Sequence, residues 1–447
     1  MLDQMFTAEN FRKIFDAENR KGLDLAARFF PNLADHTHQV KSKIGEIKEF
    51  RKNNSGTDTQ EYKGQIAKLK AELRELKKKK SEAIDENLKI VSQKALASDF
   101  KVTLSKTPGP KQTHVFCIDG APETFFVVKQ LQRNIGGIYD VKQSNRHDLI
   151  CRIRDTLQSG FPYEIIRTDI SAFYESIDRK KLLRQLDGDQ YLSLSSKKYI
   201  KQILDSYGRL ENTDEGIPRG VGISAYLSEF YLKPLDEEIK GIDGLIMYCR
   251  YVDDIVAIFS RPPTGKIIDS YKDKIIKIMA SLKLSNNESK TIDFVVGPSK
   301  NEFEYLGYRF IVSPEKCEIG ISAAKIQRYK DRVNAAFDIY TKNSHFNSKR
   351  AFRDLVARVK FLTGNARLVN SKASAVTGTF YGNSILTEVS DFHALDKLLK
   401  ERVSKIRRES LRERLKPFKF SEGFAGRRFH NFSARELKVI VGAWRNG

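Results

Sequence analysis

The chain has 447 residues, 40% of them hydrophobic, with 28 Phe and 17 Tyr; that is enough to bury a sizeable core and excludes a disordered tail protein. Its 79 Lys and Arg against 57 Asp and Glu leave a net charge of +22, an excess whose common partners are nucleic acid and anionic membrane. No stretch approaches the roughly 20 apolar residues of a membrane span, and the opening MLDQMFTAENFRKIF lacks the apolar core of an export signal, so nucleic acid is the expected partner, no membrane is expected, and the expected location is cytoplasmic.

Residues 1–100 read as helical. Ile66, Leu69, Leu73 and Leu76 repeat at 3-4-3 spacing in QIAKLKAELRELKKKK, a heptad seam with charged flanks. KSKIGEIKEF carries a weaker seam at Ile44 and Ile47, and NNSGTDTQ between the two is a loop signal. The pattern predicts a helical hairpin with an exposed Lys77–Lys80 face. It serves either as an RNA-binding or oligomerisation arm or as a solvated helix on the main body.

Residues 101–320 mix strands and helices, with KTPGPK as a boundary loop near the start. Glu164–Ile170 predicts a strand with Asp169 at its C-terminal end. Met247–Phe259, MYCRYVDDIVAIF, is an apolar run broken by two adjacent carboxylates, which predicts a tight hairpin with Asp253 and Asp254 at its tip. NEFEYLGYRFIV is strand-like. Residues 321–447 read mostly helical: KRAFRDLVARVKFL is amphipathic at a 3.6-residue period, and LDKLLKERVSKIRRESLRERLKPFKF predicts one Arg/Lys-dense helix stopped near Pro417. That basic face either contacts phosphates or is merely solvated. The four cysteines, Cys117, Cys151, Cys249 and Cys317, are widely spaced and form no zinc-ligand pattern, so reduced thiols are expected.

Adjacent carboxylates repel, and one takes up a proton unless a cation compensates. Magnesium suits such a pair, because it takes a few carboxylate oxygens plus phosphates and water. Asp169 is the candidate third carboxylate, provided its strand pairs beside the hairpin. Two magnesium ions, with manganese as the alternative, could then hold an attacking 3′-oxygen and a leaving pyrophosphate in line. Taken singly, each element has a blander reading, a turn pair or a strand-ending Asp; their order and spacing together carry the weight.

Five blocks over about residues 162–312 resemble those of reverse transcriptases. Asp169 with SAFYESI looks like the first palm block, and GIPRGVGISAYLSEFYLKPLD like the second. YVDD is similar to the tyrosine-x-Asp-Asp box, NNESKT to the asparagine-x-x-lysine-threonine block, and EYLGYRF to the primer grip. The resemblance implies an α+β right-hand polymerase fold: an N-terminal helical arm at 1–100, fingers and palm with an antiparallel sheet at 101–320, and a helical thumb and basic C-terminal region at 321–447. It implies an RNA-directed DNA polymerase, a nucleotidyltransferase. Asp169 and Asp253 match the principal metal ligands, with Asp254 secondary and the Ile170 carbonyl a further one.

By the same resemblance Tyr174 lies under the incoming sugar and rejects a 2′-hydroxyl. Gly220 and Ser224 fall in the loop against nucleotide and template. Lys290 protonates the departing pyrophosphate. Leu306, Gly307 and Tyr308 support the primer end, the glycine allowing close backbone approach. Arg133, Lys142 and Arg146 are the basic residues placed near the triphosphate. Two positions depart from the pattern: Arg219 stands where glutamine is usual, and Ala225 replaces proline. Arginine there could contact a phosphate or a template base, which puts ordinary primer–template handling in doubt.

The helical arm, IYDVKQSNR, FYESI and FLTGNARL look like the bacterial defence-associated reverse transcriptases of the "unknown" groups, nearest to the first enzyme of the type 3 system, which pairs two reverse transcriptases with a noncoding RNA. The partners so implied are a noncoding RNA template, deoxynucleotides, the DNA product, a second reverse transcriptase and further copies of this chain, in a ribonucleoprotein serving antiphage defence. A retron- or intron-like retroelement polymerase and a template-independent polymerase stay open as enzymes. An RNA-binding scaffold is the alternative of another kind, although the complete aspartate set and Tyr174 argue against it.

Overall fold

The computed structural model describes residues 2–56, 59–109, 113–141, 144–260, 270–297, 300–368 and 375–444. Two compact units account for the chain: residues 1–142 with 174–232, and residues 143–173 with 233–447.

The first unit opens with α1 (Ala8–Arg20), α2 (Leu25–Phe29), α3 (Ala34–Asn53) and α4 (Gln60–Leu96). As the seam predicts, α3 and α4 form a hairpin: Lys43 bridges to Glu72 at 2.9 Å and Phe50 stacks on Tyr62 at 5.6 Å between centroids. Ile47 and Leu69 are buried, while Ile66, Leu73 and Leu76 are half-buried, because a two-helix seam leaves each apolar side chain one wall short of enclosure. Lys77, Lys78 and Lys79 are exposed, as expected, whereas Lys80 is half-buried. Further along α4, Ile84, Leu88, Val91 and Ala95 enter the unit's core, where Phe11 of α1 stacks on Phe126 at 5.3 Å.

Phe126 belongs to the central helix of this unit, α5 (Pro122–Ile138), in which four consecutive residues, Phe125 to Val128, are buried. Just before it, β1 (Leu104–Pro108) and β2 (His114–Ile118) pair as an antiparallel hairpin. KTPGPK is therefore partly strand rather than a boundary loop: Lys106–Pro108 pair with β2, and residues 110 and 111 lie outside the described residues.

The second unit begins with α6 (Arg146–Leu157) and β3 (Tyr163–Asp169). The chain leaves it in α7 (Phe173–Ser176). α8 (Arg179–Gly188), α9 (Leu194–Glu211) and α10 (Gly222–Tyr231) then complete the first unit. The second unit resumes with α11 (Lys233–Lys240), β4 (Leu245–Tyr251), β5 (Asp254–Ser260), α12 (Tyr271–Ser281) and β6 (Ile292–Val295). Its main sheet runs β4-β5-β3-β6, antiparallel throughout. Ile255 to Phe259 are all fully buried, which is what a continuous apolar run signals for a strand covered on both faces. β7 (Asn301–Tyr305), β8 (Tyr308–Val312) and β9 (Cys317–Ile321) form a second antiparallel sheet. One core joins α6 to both sheets, with Ile150, Ile153, Ile165, Ile258, Phe310 and Ile319 at its centre.

The C-terminal part has its own core around α13 (Ala323–Ser344) and α14 (Ser348–Thr363), the latter the expected amphipathic helix. β10 (Asn365–Leu368) pairs antiparallel with β11 (Ala375–Gly378) and parallel with a short strand, β12 (Phe429–His430). The basic segment expected as one helix is two, α15 (Ser390–Ser404) and α16 (Glu409–Leu415). The break lets Val403, Ile406, Leu411 and Leu415 all reach the same core, which a straight helix could not do from one face. α17 (Phe420–Ala425) and α18 (Ala434–Gly442) close the chain. Among the described residues no helix is long and apolar enough to cross a membrane.

Candidate active site

The expected tight hairpin is present, but β4 ends at Tyr251 and β5 starts at Asp254, so its two-residue turn is Val252–Asp253, one residue earlier than expected, and Asp254 is the first residue of β5. Val252 has φ 61°, a left-handed conformation that a β-branched residue rarely adopts and that stores about 1–3 kcal/mol. Two donors hold the strained turn. The Arg250 guanidinium donates to the Val252 carbonyl at 3.0 Å, and the Ile170 N–H donates to the Asp253 carbonyl at 3.1 Å. Arg250 is itself gripped by Asp236 of α11 through Nε and Nη2, each at 2.7 Å. The Tyr248 hydroxyl donates to the same carboxylate at 2.7 Å, and burial pushes its pKa well up, so it remains a donor.

Register does the rest. β3 and β5 pair from Tyr163↔Ser260 to Asp169↔Asp254, which sets those two carboxylate residues opposite one another with Asp253 beside them in the turn. Burial raises the pKa of Asp253, and the charge of Asp169 adds to it. Burial likewise raises Asp254, with Arg167 opposing and Asp169 reinforcing. Cations of the chain answer part of this charge: the Lys290 ammonium lies 2.6 Å from Asp169 Oδ2, and Arg167 Nη2 lies 2.7 Å from Asp254 Oδ1. The NNESKT segment reaches the site through its backbone, because the Asn287 N–H donates to the Asp169 carbonyl at 2.8 Å and the Ser171 N–H to the Ser285 carbonyl at 2.9 Å. Among the described residues no three His, Cys, Asp or Glu side chains close into a ready-made metal cage; Lys290 and Arg167 occupy oxygens that a cation would otherwise take.

Residues 127–310 match the family described as reverse transcriptase (RNA-dependent DNA polymerase). The chain carries a reverse transcriptase domain. The mixed helices and antiparallel sheets around it are the α+β class expected from the sequence. Three similar solved structures are telomerases. One is from Candida albicans in complex with a fragment of telomeric RNA, at 12% identity and TM-score 0.37, covering 77% of this chain and 64% of that one. The apo enzyme of Candida tropicalis gives 12%, 0.38, 78% and 68%. The same enzyme truncated from its C-terminal domain gives 13%, 0.35, 51% and 56%. The chain thus spans 64% of the first of these and about two thirds or less of the others. Likenesses at such scores carry no argument.

Within residues 127–310 the other expected site residues fall as follows. Tyr174, in α7, is covered by Arg219, whose guanidinium lies 5.2 Å from the ring centroid and pairs with Glu175 through two bonds of 3.1 and 3.2 Å. The Ile217 N–H donates to the Tyr174 carbonyl at 2.8 Å, so the Arg219 loop and α7 are tied by backbone as well. Gly220, at φ 98°, is obligatory: a Cβ there would meet Val115 at 2.6 Å and the Phe116 carbonyl at 2.8 Å. Ser224 lies in the first turn of α10 rather than in the loop; it is buried and donates to the Pro218 carbonyl at 2.6 Å, shaping the loop from beneath. Arg133 is exposed on α5. Lys142 lies outside the described residues.

Arg146, exposed at the start of α6 in the second unit, donates to the Leu306 carbonyl and lies 5.8 Å over the Tyr308 ring. Leu306 and Gly307 are the two-residue turn between β7 and β8, at φ 48° and 75°. The close approach expected at Gly307 is real: a Cβ would sit 2.9 Å from Arg146 Nη2 and 3.5 Å from Lys325 Cδ. Sequence reasoning missed Lys325. Its ammonium lies 4.8 Å from the centroid of the Tyr308 ring and donates to the Gly382 carbonyl at 2.8 Å. Burial, then the charges of Arg146 and Arg328, push its pKa down to about 7. It also missed Arg167, Arg250, Asp236 and Glu175. Arg167 had a signal, a charge two residues before Asp169 on the same strand face; the others had none.

Proposed function

We propose that this chain extends DNA on an RNA template, with Asp169, Asp253 and Asp254 as the carboxylates of the polymerising centre. The observation that carries the reading is the β3–β5 register, Asp169 opposite Asp254 with Asp253 in the adjoining turn, inside a reverse transcriptase domain. The donor set fits divalent magnesium. The oxygens are hard, and burial together with mutual repulsion raises Asp253 and Asp254, a state that added positive charge would relieve. Asp169, Asp253, Asp254 and the Ile170 carbonyl would hold the ions. When bound, a pair of such cations acidifies the attacking 3′-hydroxyl and offsets charge on the departing pyrophosphate.

The chain's own groups supply the rest. Lys290 holds a proton at its ammonium, 2.6 Å from Asp169, and delivers it to the pyrophosphate oxygen as the bond to phosphorus breaks. Tyr174 rejects the 2′-hydroxyl, with Arg219 bracing its ring rather than reading template. Arg133, Lys142 and Arg146 take the triphosphate, Gly220 and Ser224 shape the nucleotide loop, and Leu306, Gly307 and Tyr308 support the primer end. Residues 101–320 act as fingers and palm, 321–447 as thumb, and 1–100 as a helical arm. These roles rest on the sequence resemblance. So does the setting: antiphage defence in the cytoplasm, on a dedicated noncoding RNA, beside a second reverse transcriptase.

The test is primer extension by purified chain on a defined RNA template with magnesium and deoxynucleotides, followed by sequencing of copurified RNA and of the DNA made from it. Incorporation is expected to require template and to vanish in Asp253→Asn/Asp254→Asn. Incorporation that persists in that variant, or that ignores the template sequence, overturns the reading.

A further inference from the structure

The cationic excess is dense where α13 turns into α14. At this turn Phe346 is 91% exposed, more than any other large apolar side chain among the described residues. A ring held out in water contributes nothing to packing. Phe346, Asn343, Asn347, Arg350, Asp354 and Arg358 line a cavity of about 430 Å³. Arg358 is 5% exposed, has no hydrogen bond or ion pair among the described residues, and its Nε lacks an acceptor. Asp354 offsets it in part, and is also 3.9 Å from Arg350 Nε. A buried guanidinium without an acceptor is costly, and it stands here at the wall of a cavity open to an anion.

Other residues of the same turn, Ser344, His345 and Ser348, line a second cavity of about 500 Å³, together with Lys405, Arg407 and Arg408. Its acidic lining residue, Asp338, is already taken by Arg402. Arg408 donates to Ser348 Oγ at 3.1 Å and lies 4.9 Å over the Phe352 ring, so its charge is fixed at the mouth. The positive end of the α14 dipole points the same way.

We propose that this turn is a binding site for single-stranded RNA, one base stacking on Phe346 while the flanking phosphates enter the two cavities, on Arg358 and on Arg407 and Arg408. An aromatic ring flanked by separate cationic hollows suits an unpaired nucleotide, because pairing hides the base face that the ring would take. None of the polymerising carboxylates lines either cavity. The RNA-templated reading enters in naming the strand as RNA.

The experiment is fluorescence anisotropy of a short labelled single-stranded RNA on the full chain, without nucleotides, over a range of salt. Phe346→Ala is expected to weaken binding about tenfold and Phe346→Trp to retain it. Arg407→Gln/Arg408→Gln is expected to lower the log–log salt slope by about 1.4, roughly 0.7 per phosphate contact. Arg358→Met is expected to weaken binding while raising the melting temperature, which separates loss of the site from loss of the fold. Unchanged affinity in Phe346→Ala overturns the proposal. So does an equal loss of duplex RNA, which would make the turn a duplex contact, and so does tighter binding of DNA of the same sequence. Primer extension by the unaltered chain reports separately on the polymerase reading.

Discussion

Arg250 is the residue on which the aspartate turn depends, and its replacement separates stability from activity. Its side chain is 7% exposed and that of Asp236 is 19% exposed, with both bonds of the pair at 2.7 Å. Arg250→Met leaves the Asp236 carboxylate facing Tyr248 alone, and removing one partner of such a pair costs about 3–5 kcal/mol. Arg250→Met/Asp236→Leu removes both charges and leaves the Tyr248 hydroxyl without its acceptor, about 1–3 kcal/mol. Adding Tyr248→Phe removes that last penalty, so the triple variant is expected near wild-type stability in urea unfolding. All three variants lose the donor to the Val252 carbonyl. The turn then relaxes, and a displacement of about 1 Å in the reacting geometry lowers incorporation about 10²-fold. The expected pattern is a triple variant that is stable but slow. A triple variant as active as wild type, or a single substitution costing under about 1 kcal/mol, refutes the clamp.

Three further outcomes are expected. Asp253→Asn, assayed without metal, raises the melting temperature at pH 7, by about 2–4 °C for each kcal/mol relieved. The folded carboxyl is raised, so its favourable contribution is present below the unfolded pKa near 4 and lost as pH rises through the folded value; the gain of the variant should therefore fade toward pH 4, and a gain independent of pH contradicts the assignment. Tyr174→Ala admits ribonucleotides about 10–100-fold more readily in competition extension, and Arg219→Gln moves selectivity the same way while changing stability by less than about 1 kcal/mol, since its pair with Glu175 is exposed. Lys325, at about 7, gains its charge as pH falls, so affinity for a primer strand should rise from pH 8.5 to pH 6, and Lys325→Met should flatten that dependence in a filter-binding titration.

What the sequence made legible, and what it hid, follows the range of the forces concerned. Asp169, Asp253 and Asp254 were legible because the chemistry demands carboxylates, and their strands announce themselves by apolar runs of strand length. The Leu306–Gly307 turn was only half legible: Gly307 marks a close backbone approach, while NEFEYLGYRFIV as a whole reads as strand and proves to be the hairpin of β7 and β8. The counter-charges were not. Arg250 reads as one more strand residue, and its partner Asp236 lies on a helix whose place over β4 no local pattern dictates. Lys325 has its depressed pKa from burial first and then from Arg146 and Arg328, and Arg146 is brought to it by the packing of α6 in one core with both sheets. The α15–α16 break was illegible for the opposite reason: Lys405–Arg408 holds no Gly or Pro to mark it, and it is the burial of Ile406 and Leu411 in one core that sets it. Val252 shows the conflict most sharply. Its φ of 61° calls for Gly or Asn, and a Gly at this place would have marked the turn outright. A valine can occupy it because Arg250 holds the valine's own carbonyl and the Ile170 N–H holds that of Asp253, so the strain and the clamp belong to one arrangement, and the carboxylates owe their position to both.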